Sequence, residues 1–128
     1  MISRTAKLAL TLAVGAAAVA AFVQSRRAQS EKKPAYLVAE VEVTDQVVFQ
    51  AYLKKAMETL KPYNVRVISN SKPDVKEGAP AQGHIIILGF NSLADAQKWY
   101  GSSPYKELIS ERQKAANTRV YFVEGMPQ

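Results

Sequence analysis

Four strand-like runs, helical periodicity between them and a central run apolar on both faces predict an α+β domain on a four-stranded antiparallel sheet. The central run is HIIILGF, residues 84–90. Side chains on a strand alternate between faces, so a half-wet strand should alternate apolar with polar. Ile85, Ile86, Ile87 and Leu88 are apolar without a break, and three are β-branched. Both faces of this strand must therefore be covered. Helices can cover one face, and a second copy of the chain is the simplest cover for the other.

Residues 36–43 read as the first strand. Leu37, Ala39, Val41 and Val43 point one way, and Tyr36, Val38, Glu40 and Glu42 the other. Thr44 or Asp45 can cap the following helix, which runs to about residue 61 and ends at Pro62. Phe49, Leu53, Ala56, Met57 and Leu60 fall at helical spacing as its core stripe. Residues 64–69 form a second strand, and 70–83 a polar, solvated connection with two prolines and two glycines. After the third strand, Ser92 caps a helix over 93–100. The run 101–104 breaks it, and Pro104 suits the first turn of a new helix to about residue 116. Residues 119–124 make the last strand, ended by Gly125.

The order is βαββαβ, a ferredoxin-like arrangement with helices on one sheet face. The other face is expected to meet its counterpart in a second chain, giving a dimeric α/β barrel. Val38, Ile86 and Leu88 are assigned to this dimer interface.

The 128 residues suffice for one domain. The formal charge of +6 suggests nucleic acid only until its distribution is read. Four bases (Arg4, Lys7, Arg26, Arg27) and no acid lie in residues 1–30, which leaves 13 bases against 11 acids beyond them. Basicity belongs to the leader, and no basic groove interleaved with aromatics is present, so no nucleic-acid partner is expected. Residues 1–30 read as a signal peptide: a basic start, an apolar alanine-rich run over 8–23, and small residues at Ala28-Gln29-Ser30. The rival reading is an uncleaved membrane anchor, for which these sixteen weakly apolar residues fall short of the about 20 a bilayer needs. A periplasmic or secreted protein is expected, touching membrane only through an uncleaved leader. Residues 31–34 are a polar linker and 35–126 the domain. The chain has no cysteine, which removes disulfides, thiol catalysis and thiolate metal sites.

Three segments carry a family resemblance: AYLVAEVEVTD (35–45), HIIILGFNSLADAQKWYGSSPYKELISERQKAA (84–116) and VYFVEG (120–125). They resemble the DUF1330 family of the dimeric α/β-barrel superfamily, over about residues 35–126. The most specific pieces are Trp99, Ser103-Pro104-Tyr105, Arg112 and Glu124-Gly125. The resemblance implies the same ferredoxin-like protomer and two-sheet dimer, and it implies no particular reaction. Two departures stand out. Asn64-Val65 occupies a place where the family often has a glycine pair, and Gly89 one where it often has glutamate.

Candidate site residues are few. His84, the one histidine, can titrate near neutral pH, though a lone histidine more often satisfies a local hydrogen bond. Glu40 and Glu124 would make an acid/base pair if they met inside the barrel; otherwise they pair with Arg66 or Arg119 at strand ends. Trp99, Tyr105 and Arg112 gather around the helix break, where Arg112 can hold a carboxylate of the protein or of a ligand, or simply lock the break to the sheet. No phosphate loop or serine elbow occurs, and neither a metal nor a cofactor is expected. The functional expectation is a homodimer with a small apolar cavity for a small organic molecule, its polar groups drawn from Tyr36, Glu40, His84 and Glu124. The alternative, by superfamily analogy, is an enzyme of monooxygenase or isomerase type that needs no cofactor.

Overall fold

A computed structural model describes residues 32–128; the expected leader over 1–30 lies outside the described residues. Strands β1 (Ala35–Val43), β2 (Arg66–Ser71), β3 (His84–Phe90) and β4 (Ala116–Glu124) form one sheet in the order β2-β3-β1-β4, with every pairing antiparallel. Helix α1 (Gln46–Leu60) follows β1, and α2 (Leu93–Tyr100) and α3 (Ser103–Ala115) link β3 to β4. This is the predicted ferredoxin-like α+β arrangement.

Local chemistry sets the boundaries. The Asp45 carboxylate accepts from the Val48 amide at 3.1 Å, and the Ser92 hydroxyl accepts from the Asp95 amide at 3.1 Å. Pro104 sits in the first turn of α3. Pro62 does not end the first helix outright. A 3₁₀ turn, Lys61–Tyr63, carries the chain through it to Asn64, whose φ of 50° is left-handed. Asparagine tolerates that conformation better than other non-glycine residues. The departure from the family's glycines is thus a change of residue in a conformation that glycine also adopts. Gly83 has φ +76°, and a Cβ there would collide with the Val41 carbonyl. Glycine is therefore required where the chain turns into β3.

The core lies between the sheet and the helices. From β1 it takes Leu37, Ala39 and Val41, as the alternation predicts. From α1 it takes Phe49, Tyr52, Ala56 and Leu60. Met57, expected in the stripe, is 46% exposed, while Tyr52 is buried. Trp99, Tyr105 and Phe90 are the largest fully buried side chains. The Trp99 ring packs on Tyr105 with centroids 4.0 Å apart and on Phe90 at 5.7 Å.

The register of β3 corrects the interface assignment. Leu88 pairs with Leu37 and Ile86 with Ala39, so both lie on the helix-covered face; Leu88 is buried and Ile86 packs on the core. The residues on the open face are Ile87, opposite Val38, and Ile85, opposite Glu40. With every position apolar, the run itself carried no mark of which parity faces the helices. Val38 lies on this open face, as the alternation of β1 predicts. Around it the open face carries Tyr121 (47% exposed) and Val123 (44%) from β4, and Ile68 (51%) from a bulge in β2.

Trp99→Ala should lower the unfolding free energy by about 3–5 kcal/mol in urea titration. A loss below about 1 kcal/mol would mean that the indole contributes no core packing.

Candidate functional site

Between the sheet and the helices lies a cavity of about 250 Å³. Its walls are apolar, supplied by residues such as Leu37, Val41, Phe49, Leu60 and Ile86. Its polar groups include Tyr52, Tyr105 and Arg112, which the meeting of α1 with α3 brings together. The Arg112 guanidinium donates to the Tyr105 hydroxyl at 2.7 Å, and the Tyr105 and Tyr52 hydroxyls share a bond of 2.8 Å. Trp99 Nε1 donates to Thr59 Oγ1 at 2.9 Å, and that hydroxyl in turn donates to the Ala56 carbonyl at 2.6 Å. Two chains of hydrogen bonds therefore tie α2 and α3 to α1 across the roof of the cavity.

The electrostatics of the Arg112 cluster are unusual. Arg112 is 7% exposed, and its Nε is buried without a partner among the described residues. Burial works against the Arg112 charge, but the phenols of Tyr100, Tyr105 and Tyr52 around it outweigh that penalty and raise its pKa. Burial, followed by the adjacent Tyr52 hydroxyl, pushes Tyr105 well above its ordinary value near 10.0. Tyr105 is therefore a neutral hydrogen-bonding group and not a base.

A second, more polar recess of about 300 Å³ adjoins the cavity and shares Val41, Phe49, Leu53, Asn70 and Ile86 with it. His84 stands in this recess, exposed, with Nδ1 3.3 Å from Asn70 Oδ1.

The structure brings together Trp99, Tyr105 and Arg112 at the cavity, with His84 in the adjoining recess. The other three candidates lie elsewhere. Tyr36 and Glu40 belong to the open face, as their pairing with Gly89 and Ile85 requires. The Glu40 carboxylate accepts from the Gln82 amide at 2.7 Å and faces Arg119 at 3.9 Å. Glu124 lies 3.6 Å from Lys33 at the far end of β4. It pairs with Ala35, whereas Glu40 pairs with Arg119, so the two carboxylates are on opposite faces and at different ends. The acid/base pair does not form, and the strand-end alternative with Arg119 describes Glu40. Gly89 is also on the open face, where Ile68 and Arg66 lie over it. A glutamate there would therefore not reach the cavity. Sequence reasoning missed Tyr52. Its signal was present in the spacing Phe49–Tyr52–Ala56, three and four residues apart on one helix face.

A four-stranded antiparallel sheet with helices on one face and a cavity beneath them defines a ferredoxin-like α+β protein. The chain belongs to the family described as "Domain of unknown function (DUF1330)", whose model matches residues 34–126. Among solved structures it is similar to the RPA0582 protein of unknown function from Rhodopseudomonas palustris. That match has 16% identity, covers 84% of this chain and 93% of that one, and has a TM-score of 0.58. It is also similar in fold to SnoaB, a cofactor-independent oxygenase from Streptomyces nogalater. There the identity is 4%, the coverage 76% of this chain and 96% of that one, and the TM-score 0.52. No curated protein matches the chain.

Stability should fall as pH rises above about 10, because the unfolded chain releases the Tyr105 proton near its ordinary value while the folded chain keeps it. The folded state then binds more protons, and the slope attributable to this group is about 1.4 kcal/mol per pH unit. Tyr105→Phe should flatten the decline in urea titrations at about pH 9 and about pH 11. Equal slopes in wild type and variant would exclude Tyr105 as its source.

Proposed function

We propose that the protein is an exported homodimer in which each chain's cavity holds a small organic molecule. The observation that carries the binding reading is the cavity itself. It combines apolar walls with a small convergent polar cluster, the usual composition of a small-molecule site. Fully buried Trp99 and Tyr105 at its edge, and the two hydrogen-bond chains above it, hold that space open instead of letting the side chains collapse into it.

The homodimer reading rests on the open face of the sheet. Val38, Ile85, Ile87, Tyr121 and Val123 form an apolar surface flanked by Glu40, Arg66 and Arg119. A contiguous apolar face of this kind favours a protein partner over water, and a second copy offers the same apolar centre with charges of both signs around it. Export rests on the composition of residues 1–30.

Catalysis without a cofactor, as in the oxygenase SnoaB, is supported only by a shared fold. Among the described residues that line the cavity, the titratable groups are Tyr52, Tyr105 and Arg112. None is a carboxylate or an imidazole placed to take a substrate proton, so the geometry supports binding over turnover.

Native mass spectrometry of the chain, expressed with its own leader and recovered from the periplasm, tests the reading. A dimer beginning near Glu31 and carrying added mass is expected. A stable wild-type monomer would overturn the face-to-face assembly, and full-length chain found only with membranes would overturn cleavage of the leader. Ile87→Asp should give a folded monomer, because it would bury an unpaired charge between the two sheets. Leu88→Asp should instead unfold the protomer. Dimeric Ile87→Asp would locate the interface elsewhere.

A further inference from the structure

We infer that the cavity selects an anionic amphiphile, a monocarboxylate with an apolar body of medium size, whose carboxylate is held by Arg112. The inference rests on the binding reading above and names the ligand's chemical class.

Arginine stays protonated in proteins, so the guanidinium is a permanent cation. Burying such a charge is unfavourable unless an opposite charge and a full set of acceptors accompany it. Here neither is complete. Among the described residues the carboxylates in ion pairs are engaged elsewhere: Glu111 with Lys55, Glu58 with Lys61, Glu40 with Arg119, Glu124 with Lys33 and Asp74 with Lys76. No carboxylate among these residues comes within ion-pair distance of Arg112. Arg112 donates to the Tyr105 hydroxyl at 2.7 Å, the Tyr100 phenol stands beside it as a second neutral group, and Nε has no partner among the described residues. Arg112 lines the cavity, so a ligand anion bound there supplies the missing charge.

The phenols add a donor. Arg112 already donates to Tyr105, and a single bond joins Tyr105 to Tyr52. Of the two phenolic protons, one makes that bond and the other has no acceptor among these bonds. That proton and the guanidinium N–H groups beyond the one bonded to Tyr105 are donors without an acceptor among these bonds. A carboxylate is planar, accepts at both oxygens and suits an arginine fork. Apart from Asn70 and Thr118, the remainder of the cavity is lined by apolar side chains, mostly Leu, Val, Ile and aromatic, which suit a hydrocarbon or aromatic body. A small inorganic anion would leave those walls unfilled.

The test uses the full chain with octanoate and octan-1-ol as probes. Trp99, the one tryptophan in the sequence, lines the cavity, so its fluorescence reports occupancy directly. Octanoate should shift the emission and bind about 10- to 100-fold more tightly than octan-1-ol, as hydrogen bonds to a charged group imply. In Arg112→Met, octanoate should lose that advantage over octan-1-ol. Arg112→Met also removes the bond to Tyr105, so circular dichroism checks its fold first; if the variant unfolds, the comparison of the two probes on wild type still decides. Equal affinity of wild type for both probes would overturn the carboxylate inference and leave the cavity reading standing. Failure of both probes to bind would overturn both.

Discussion

A cationic guanidinium held under a roof of helices is the constraint around which the rest of the protomer is arranged. Arg112 comes from α3, its phenolic neighbours from α1, α2 and α3, and the sheet closes the space below. Each of these groups would be unfavourable in the interior by itself. Together they exchange hydrogen bonds of 2.7 and 2.8 Å in a medium where such bonds are strong and unmade ones are costly. The Tyr52–Tyr105 bond joins α1 to α3, aided at the surface by Lys55 and Glu111 at 3.0 Å. Exposed ion pairs of that kind contribute little, so the weight of the docking falls on the buried cluster and on the aromatic stack of Phe90, Trp99 and Tyr105.

The two sheet faces thus border different surroundings. The helix-covered face surrounds a ligand-sized space within one chain. The open face offers an apolar surface suited to another chain. Residues of the two faces sit on alternate positions of the same strands: Ile87 beside Leu88, and Val38 beside Leu37 and Ala39.

Much of this was legible in the sequence, and the failures have a common physical origin. The βαββαβ order, the caps at Asp45 and Ser92 and the orientation of β1 followed from periodicity, because polar residues marked one parity of β1. In β3 nothing marked it, and Ile86 and Leu88 were exchanged for Ile85 and Ile87. Only the pairing with β1 supplies that information. The site failed in a similar way. Tyr36, Glu40 and Glu124 were assigned to a space between two sheets, whereas the cavity lies between sheet and helices. Trp99, Tyr105 and Arg112 were nominated because their chemistry is conspicuous around a helix break. Tyr52 was passed over because Leu53 and Met57 filled the stripe more conventionally, and an amphipathic tyrosine gives no sign in one dimension of what its hydroxyl will meet.

The bulge at Ile68 has a consequence of its own. Strand β2 forms one border of the sheet, and it is six residues long. An outermost strand presents a row of unpaired amides and carbonyls that can template the addition of further strands. By inserting one extra residue between Val67 and Ser69, the bulge breaks the even spacing of that row and sharpens its twist. The border is therefore a poor seed for fibre growth, and a chain so rich in consecutive isoleucines carries its own guard against open-ended polymerisation on that side.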